Sequence, residues 1–206
     1  MVTEADARVL DYGSTIVLVA GGHITPLAKD TLNARRITVV RDGADPDVAS
    51  LAPPADIRTV AIAGDHSAVA LKAALVQHLR SRGLAVHDLG TATSDPVDYP
   101  DTAAAAAIQV ARGEADAAIV IDGAGLGSTI AANKVAGARA AMCLNETLAR
   151  YARQHNGANV LALGATLVTR DQATAIVNTF LDTPMREPRY IRRLAKIRDL
   201  ETRPRG

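Results

Sequence analysis

The sequence predicts an α/β fold: a three-layer sandwich with a parallel five-stranded sheet between helices, and a small β-α-β extension at the N-terminus. Three observations predict it. After residue 56, short apolar runs alternate with segments of helical spacing, the signature of strands joined by crossover helices. The most apolar run, Ala117–Ile121, shows no polar alternation, as suits a central strand covered on both faces. The chain has 206 residues, 48% of them apolar, enough for one such domain and some additional chain.

The elements follow in order. Thr15–Ala20 (TIVLVA) reads as a strand, and Pro26–Arg35 as a short helix with Thr25 as N-cap and Pro26 at the first helical position. Ile37–Arg41 reads as a second strand. A unit of residues 1–41 hardly buries a core alone and is expected to dock on something or to stay partly mobile. Residues 42–56 hold three prolines and four aspartates and read as a linker. The main domain is then 57–206. Val60–Ala63 is a strand ending in Gly64-Asp65-His66. Ala68–Arg82 carries Val69, Leu71, Leu75, Val76 and Leu79 at helical spacing. Ala85–Leu89 is a strand, residues 91–99 a polar loop, and Asp101–Arg112 an Ala-rich helix stopped by Gly113. After the Ala117–Ile121 strand, a helix is expected from Ser128 to Lys134. Strand Ala138–Met142, helix Glu146–His155, strand Val160–Leu163, helix Asp171–Leu181 and a basic helix over 187–201 complete the series.

Composition excludes several functions. Lys and Arg number 23 against 22 Asp and Glu, a net charge of +1, so a broad nucleic-acid surface is not expected. Aromatics make up 2% and Trp is absent, which argues against base-stacking platforms. The single Cys143 forms no internal disulfide and no Cys-based zinc site. It follows an apolar strand and reads as inert core. No apolar run reaches membrane-spanning length and the N-terminus lacks a signal pattern. The expected location is therefore the cytoplasm.

The chemistry is expected where an open parallel sheet binds ligands, outside the C-terminal strand ends. Three groups are placed there: Gly64-Asp65-His66, Asp122 with its glycines, and His155-Asn156 before the Val160 strand. In IVIDGAGLGSTIAANK (119–134) an apolar strand ends in an acid, and Gly123, Gly125 and Gly127 follow at alternate positions. Glycines let the backbone approach a ligand, and free N–H groups at a helix start favour an anion or a developing oxyanion. The spacing is neither a Walker loop nor GxGxxG. Asp122 has three readings: a proton-moving base, a cap on the glycine N–H groups, or a contact to substrate hydroxyls. His23, His78 and His87 read as structural or solvated. Arg189, Arg192, Arg193, Lys196 and Arg198 read either as a solvated helix face or as an anion clamp.

Several blocks, in order, resemble the ribose-5-phosphate isomerase B family, which includes the galactose-6-phosphate isomerase subunits. They are AIAGDHSAVALK (61–72), DLGTATSDPVDYPD (88–101), GEADAAIVIDGAGLGSTIAANKVAGARAAMC (113–143), ARQHNGANVLALGA (152–165), IVNTFLDT (176–183) and RYIRRLAKI (189–197). The resemblance implies a Rossmann-like fold, no metal or organic cofactor, and a homodimer or dimer of dimers with sites between subunits. It implies aldose–ketose interconversion of a phosphorylated sugar, ribose 5-phosphate and ribulose 5-phosphate above all. Asp65 and His66 match the pair that orients sugar hydroxyls and helps hold phosphate. Gly123, Ala124, Gly125, Gly127 and Ser128 match the loop that stabilises the enediolate. His155 matches the ring-opening histidine, with Asn156 its neighbour. Arg189 and Arg193 match the phosphate-binding arginines, and Tyr99 lies in the element near substrate.

The chain departs from the family at five positions. Asp122 stands where many members carry the cysteine base, and Ser128 where another branch carries a glutamate base. Ala124 replaces a hydroxyl residue, Tyr190 a histidine, and Gly157 an aspartate. Asp122 is thus expected to replace the cysteine as base. Burial would raise its pKa and the helix N-terminus would lower it. The alternative is an altered or inactive sugar-phosphate-binding or scaffold protein. An epimerase or lyase acting through the same enediolate is a third reading.

GGHITPLAKDTLNARRITVV (21–40) resembles a short strand–helix–strand element associated with proteins of bacterial microcompartments. The resemblance implies docking to a compartment shell or cargo partner, or encapsulation inside such a compartment. The plainer reading is an accessory element that extends a dimer interface.

Overall fold

A computed structural model describes residues 1–19, 22–41 and 50–202. Ala20 at the end of the first expected strand, and residues 42–49 of the expected linker, lie outside the described residues. By internal contacts the chain forms two compact units. One is Ile57–Arg153 with Ala158–Asp182; the other is Met1–Asp56 with Gln154–Gly157 and Thr183–Gly206.

The first unit is built on a five-stranded parallel sheet of β3 (Thr59–Gly64), β4 (Ala85–Asp88), β5 (Ala117–Asp122), β6 (Ala140–Met142) and β7 (Val160–Gly164). Its order is β4-β3-β5-β7-β6, so β5 is central, as its unbroken apolar run predicts. The two sheet faces differ. Ile62, Ile119, Ile121, Leu161 and Leu163 pack under α3 (Val69–Ser81), α6 (Glu146–Asn156) and α7 (Arg170–Asp182) with Phe180. The other face is almost all alanine. Ala61, Ala63, Ala118 and Ala162 meet Ala103, Ala106 and Ala107 of α4 (Tyr99–Ala111) and Ala132 of α5 (Leu126–Ala132). Small side chains let these helices ride close to the sheet. His78 bonds Asn178 at 2.7 Å and His87 bonds Gln109 at 2.5 Å, which agrees with their structural reading.

Helix boundaries correct the sequence reading near the site. The helix after β5 starts at Leu126 rather than Ser128, with Gly125 as N-cap at φ +77°. A side chain is disfavoured in that left-handed region. The helix after the polar loop starts at Tyr99, two residues before Asp101, with Pro100 in its first turn, where no N–H is needed.

The second unit contains α1 (Glu4–Val9), β1 (Thr15–Leu18), α2 (Pro26–Ala34), β2 (Thr38–Arg41) and α8 (Pro188–Thr202). Strands β1 and β2 pair in parallel, giving the expected β-α-β extension. Thr25 caps α2 by accepting from Ala28 N–H at 3.2 Å. Helix α1 went unread in the sequence, although Thr3 and Asp6 form a reciprocal capping box at its start. Ala7, Ala28, Leu32 and Ile37 form this unit's small core. Among the described residues no helix is long and apolar enough to cross a membrane.

Candidate active site

The chain runs from β3 out to edge strand β4 and returns to the far side of β3 as β5. The C-terminal ends of β3 and β5 therefore flank a topological switch point, where open α/β sheets bind ligands. Asp65 leaves β3 there, and Asp122 ends β5. The Asp65 N–H donates to the Ile121 carbonyl at 3.1 Å and ties the two ends together.

Asp65 is buried. Its Oδ1 accepts from the N–H and the hydroxyl of Ser67, at 2.9 and 2.6 Å, and so caps the 3-10 turn His66–Ala68. Next along, the Nδ1 of His66 accepts from Val97 N–H at 3.3 Å. In the neutral ring this places the proton on Nε2.

Asp122 is also buried, and its carboxylate organises the glycine loop. Oδ1 accepts from Ala124 N–H at 2.8 Å and from Gly125 N–H; Oδ2 accepts from Ser128 N–H at 2.7 Å. Burial pushes its pKa up. The Ser128 side chain and the N–H groups of Ser128, Gly125 and Ala124 outweigh that, leaving it below the ordinary carboxylate value. The Ser128 hydroxyl is buried and completes no hydrogen bond of normal geometry. Its contribution to the carboxylate is therefore weaker than that of the N–H groups.

Three N–H groups of the loop remain. No acceptor among the described residues meets Gly123, Leu126 or Gly127 N–H. Leu126 and Gly127 open α5, where the helix end carries partial positive charge. Thr166 fixes the other side of the loop, since its N–H and hydroxyl both donate to the Gly123 carbonyl, at 3.0 and 2.7 Å. Over Gly127 lies the ring of Tyr99; a Cβ at 127 would sit 2.5 Å from two ring carbons.

His155, Asn156, Arg189 and Arg193 belong to the other unit. His155 and Asn156 are not at a C-terminal strand end. They close α6, on the segment that enters the N-terminal end of β7, which corrects the sequence placement. Tyr190 gathers their neighbours. Its ring lies 4.7 Å from the His155 ring, and the Arg189 and Arg193 guanidinium carbons stand 4.7 and 5.3 Å from its centre. Arg189 Nη2 also donates to the Tyr190 hydroxyl at 2.9 Å. The sequence-selected residues thus fall into two groups: Asp65, His66, Tyr99 and the Asp122 loop in one unit, and His155, Asn156, Arg189 and Arg193 in the other.

Residues 60–197 match the family described as Ribose/Galactose Isomerase. The chain belongs to the ribose/galactose isomerase family. It is 41% identical over 147 residues to ribose-5-phosphate isomerase B of Escherichia coli, covering 71% of this chain and 99% of that one. Among solved structures, ribose-5-phosphate isomerase B of Clostridium thermocellum shares 45% identity at a TM-score of 0.68, over 69% of this chain and 97% of that one. The Mycoplasma genitalium ribose-5-phosphate isomerase B, solved with bound ribulose-5-phosphate, shares 38% at 0.68, over 71% and 97%. As a ribose/galactose isomerase family member this chain is a sugar-phosphate aldose–ketose isomerase. The matched region begins after residue 56, so the N-terminal extension stands outside the family likeness.

Sequence reasoning missed two contributors. Thr166 carries no motif signal, because its role depends on β7 lying beside β5. The sequence marks Tyr190 only as a replacement, although its i,i+3 spacing to Arg193 on one helix is the signal for a shared surface.

Proposed function

We propose that this chain interconverts ribose 5-phosphate and ribulose 5-phosphate, with Asp122 moving the proton between C1 and C2. The observation that carries this reading is the pairing of a buried carboxylate at the switch point with three loop N–H groups that meet no acceptor among the described residues. The proton leaves C2 of the aldose, the enediolate oxygen gathers charge beside Gly123, Leu126 and Gly127, and the proton returns at C1. A carboxylate offers about four lone-pair positions; Asp122 spends three on Ala124, Gly125 and Ser128. The remaining one serves as base. A lowered pKa makes it a weak base, so turnover is expected to be slow.

In this reading Asp65 and Asn156 bind sugar hydroxyls, Tyr99 walls the site, and His66 helps with phosphate through Nε2–H. His155 opens the ring, and Arg189 and Arg193, braced by Tyr190, clamp the phosphate. Ser128 orders the loop through its N–H. A homodimer whose sites draw residues from both copies goes with this reading. The relatives act on, or are solved with, pentose phosphates, which supports that substrate class.

The three bonds to Asp122 also favour a second reading, in which the carboxylate is only a loop strap and the protein binds sugar phosphate without turning it over. Proton exchange decides between them. In D2O, ribose 5-phosphate should take deuterium at C2 and yield ribulose 5-phosphate, and Asp122→Asn should abolish both. Binding without exchange would leave the strap reading standing.

We further propose that residues 1–41 form a docking element for a bacterial microcompartment partner. Support comes from outward Val17, Val19 and Leu27, which are exposed. Deleting residues 1–41 should release the protein from such a partner in co-sedimentation while 57–200 keep their activity; unchanged co-sedimentation would reject the docking role.

A further inference from the structure

The second unit contains a cavity of about 410 Å³ that no part of the isomerase reading uses. Its size falls in the range of small-molecule sites. All its lining residues belong to that unit, from α2, β2, the segment before α2, and the approach to α8. The apolar part is Leu32, Ile37, Val39 and Ile24. The polar part is Lys29, Arg186, His23 and Asn33, with one carboxylate, Glu187.

Lys29 and Arg186 are poorly matched by acids among the described residues. Arg186 Nη1 donates to Asn33 Oδ1 at 3.1 Å, but its Nε is buried and has no hydrogen-bond partner among the described residues. Lys29 and His23 make no side-chain hydrogen bond or ion pair among the described residues. The Arg186 cation is disfavoured first by burial and then by the charge of nearby Arg36. A buried N–H left unmet costs about 1–3 kcal/mol, more when charged. An anion seated in the cavity would meet the orphan Nε, offset the Arg186–Arg36 repulsion and occupy Lys29. The apolar wall would meanwhile take a body without hydroxyls. A bare sugar phosphate is a poor fit there, because its hydroxyls would face Leu32, Ile37 and Val39 without partners.

We propose that this cavity is a second ligand site, for a small organic anion with a phosphate or carboxylate head and an apolar or aromatic body. The head is held by Arg186, Lys29 and His23, and the body lies on Leu32, Ile37 and Val39. Arg186, Glu187 and Pro188 run directly into α8, which carries Arg189 and Arg193. On the clamp reading given above for those arginines, an occupant would adjust the isomerase through the start of that helix. Binding itself does not depend on that reading.

The test is titration of the full chain with phenyl phosphate, benzoate and inorganic phosphate, followed by calorimetry. Phenyl phosphate, benzoate or both should saturate at one molecule per chain, and which of them binds identifies the head group. Inorganic phosphate should bind at least about tenfold more weakly, because it lacks the body. Lys29→Glu and Arg186→Gln should each weaken the organic probe by about tenfold or more, while Arg189→Ala leaves it unchanged. Lys29 is exposed, so Lys29→Glu folds even if Arg186→Gln does not. The proposal is overturned if neither organic probe saturates, if inorganic phosphate binds as tightly, or if Arg189→Ala rather than Lys29→Glu removes binding. Because the readout is binding, an inactive isomerase would leave this result intact, and a failed titration would leave the isomerase reading intact.

Discussion

The ring of Tyr99 lies against the bare Cα of Gly127, so close that a methyl group there would stand 2.5 Å from the ring's Cε2 and Cζ. The contact joins the first turn of α4 to the first turn of α5, over the loop that Asp122 holds. A side chain at the third glycine of the loop would have to displace that ring, whatever the substrate.

Gly127→Ala is expected to push the ring aside and raise KM for the sugar phosphate several-fold. The atoms displaced are the far end of a half-exposed side chain, so stability should change by less than about 0.5 kcal/mol. In a Tyr99→Ala background the same change should have almost no further effect on KM. Steady-state kinetics of the two single variants and the double variant check this; additive effects would mean that the ring contact is not what Gly127 protects.

The Asp122 carboxylate is held below its ordinary pKa, so the acid limb of kcat should lie below about pH 4. Asp122→Asn should lower kcat by about a hundredfold to ten-thousandfold. Asp122→Cys should restore part of it, with the acid limb moved up toward the thiol range, near pH 8.5. A pH profile that stays put in Asp122→Cys would assign the proton transfer to another group.

The same carboxylate contributes to stability. Its folded-state pKa lies below the unfolded value of about 3.9, so the stabilisation is fully present above about pH 4. It is lost as pH falls through the lowered folded-state value. Asp122→Asn, which leaves loop N–H groups unmet, should be less stable by roughly 1–3 kcal/mol at neutral pH. The gap to the parent should close in acid. Urea unfolding at several pH values measures it.

Cys143 is buried, and burial pushes its thiol up to about 12. It should resist a disulfide reagent in the native state and react only as fast as the protein opens. Rapid native labelling would show that this segment is exposed in solution.

The sequence by itself determined the five strands, the central place of β5 and the N-terminal β-α-β unit. Unbroken apolar runs between helical spacings have few other ways to bury themselves. It also singled out Asp122 and its glycines, because an acid at a strand end before alternate glycines is legible without coordinates. Helix starts were less legible. Leu126 and Tyr99 precede the expected first residues because Gly125 and Pro100 suit a helix start, and neither carries a side-chain cap that marks it. Only the tertiary structure decided what the Asp122 carboxylate touches, since that depends on how the loop folds back over β5. It alone brought Thr166 to Gly123, Tyr99 to Gly127, and Arg186 to Asn33 beside an open cavity. Each of these joins residues separated in the chain by a strand or more. Spacing governs neighbours on one helix or strand, whereas contacts between elements are set by packing.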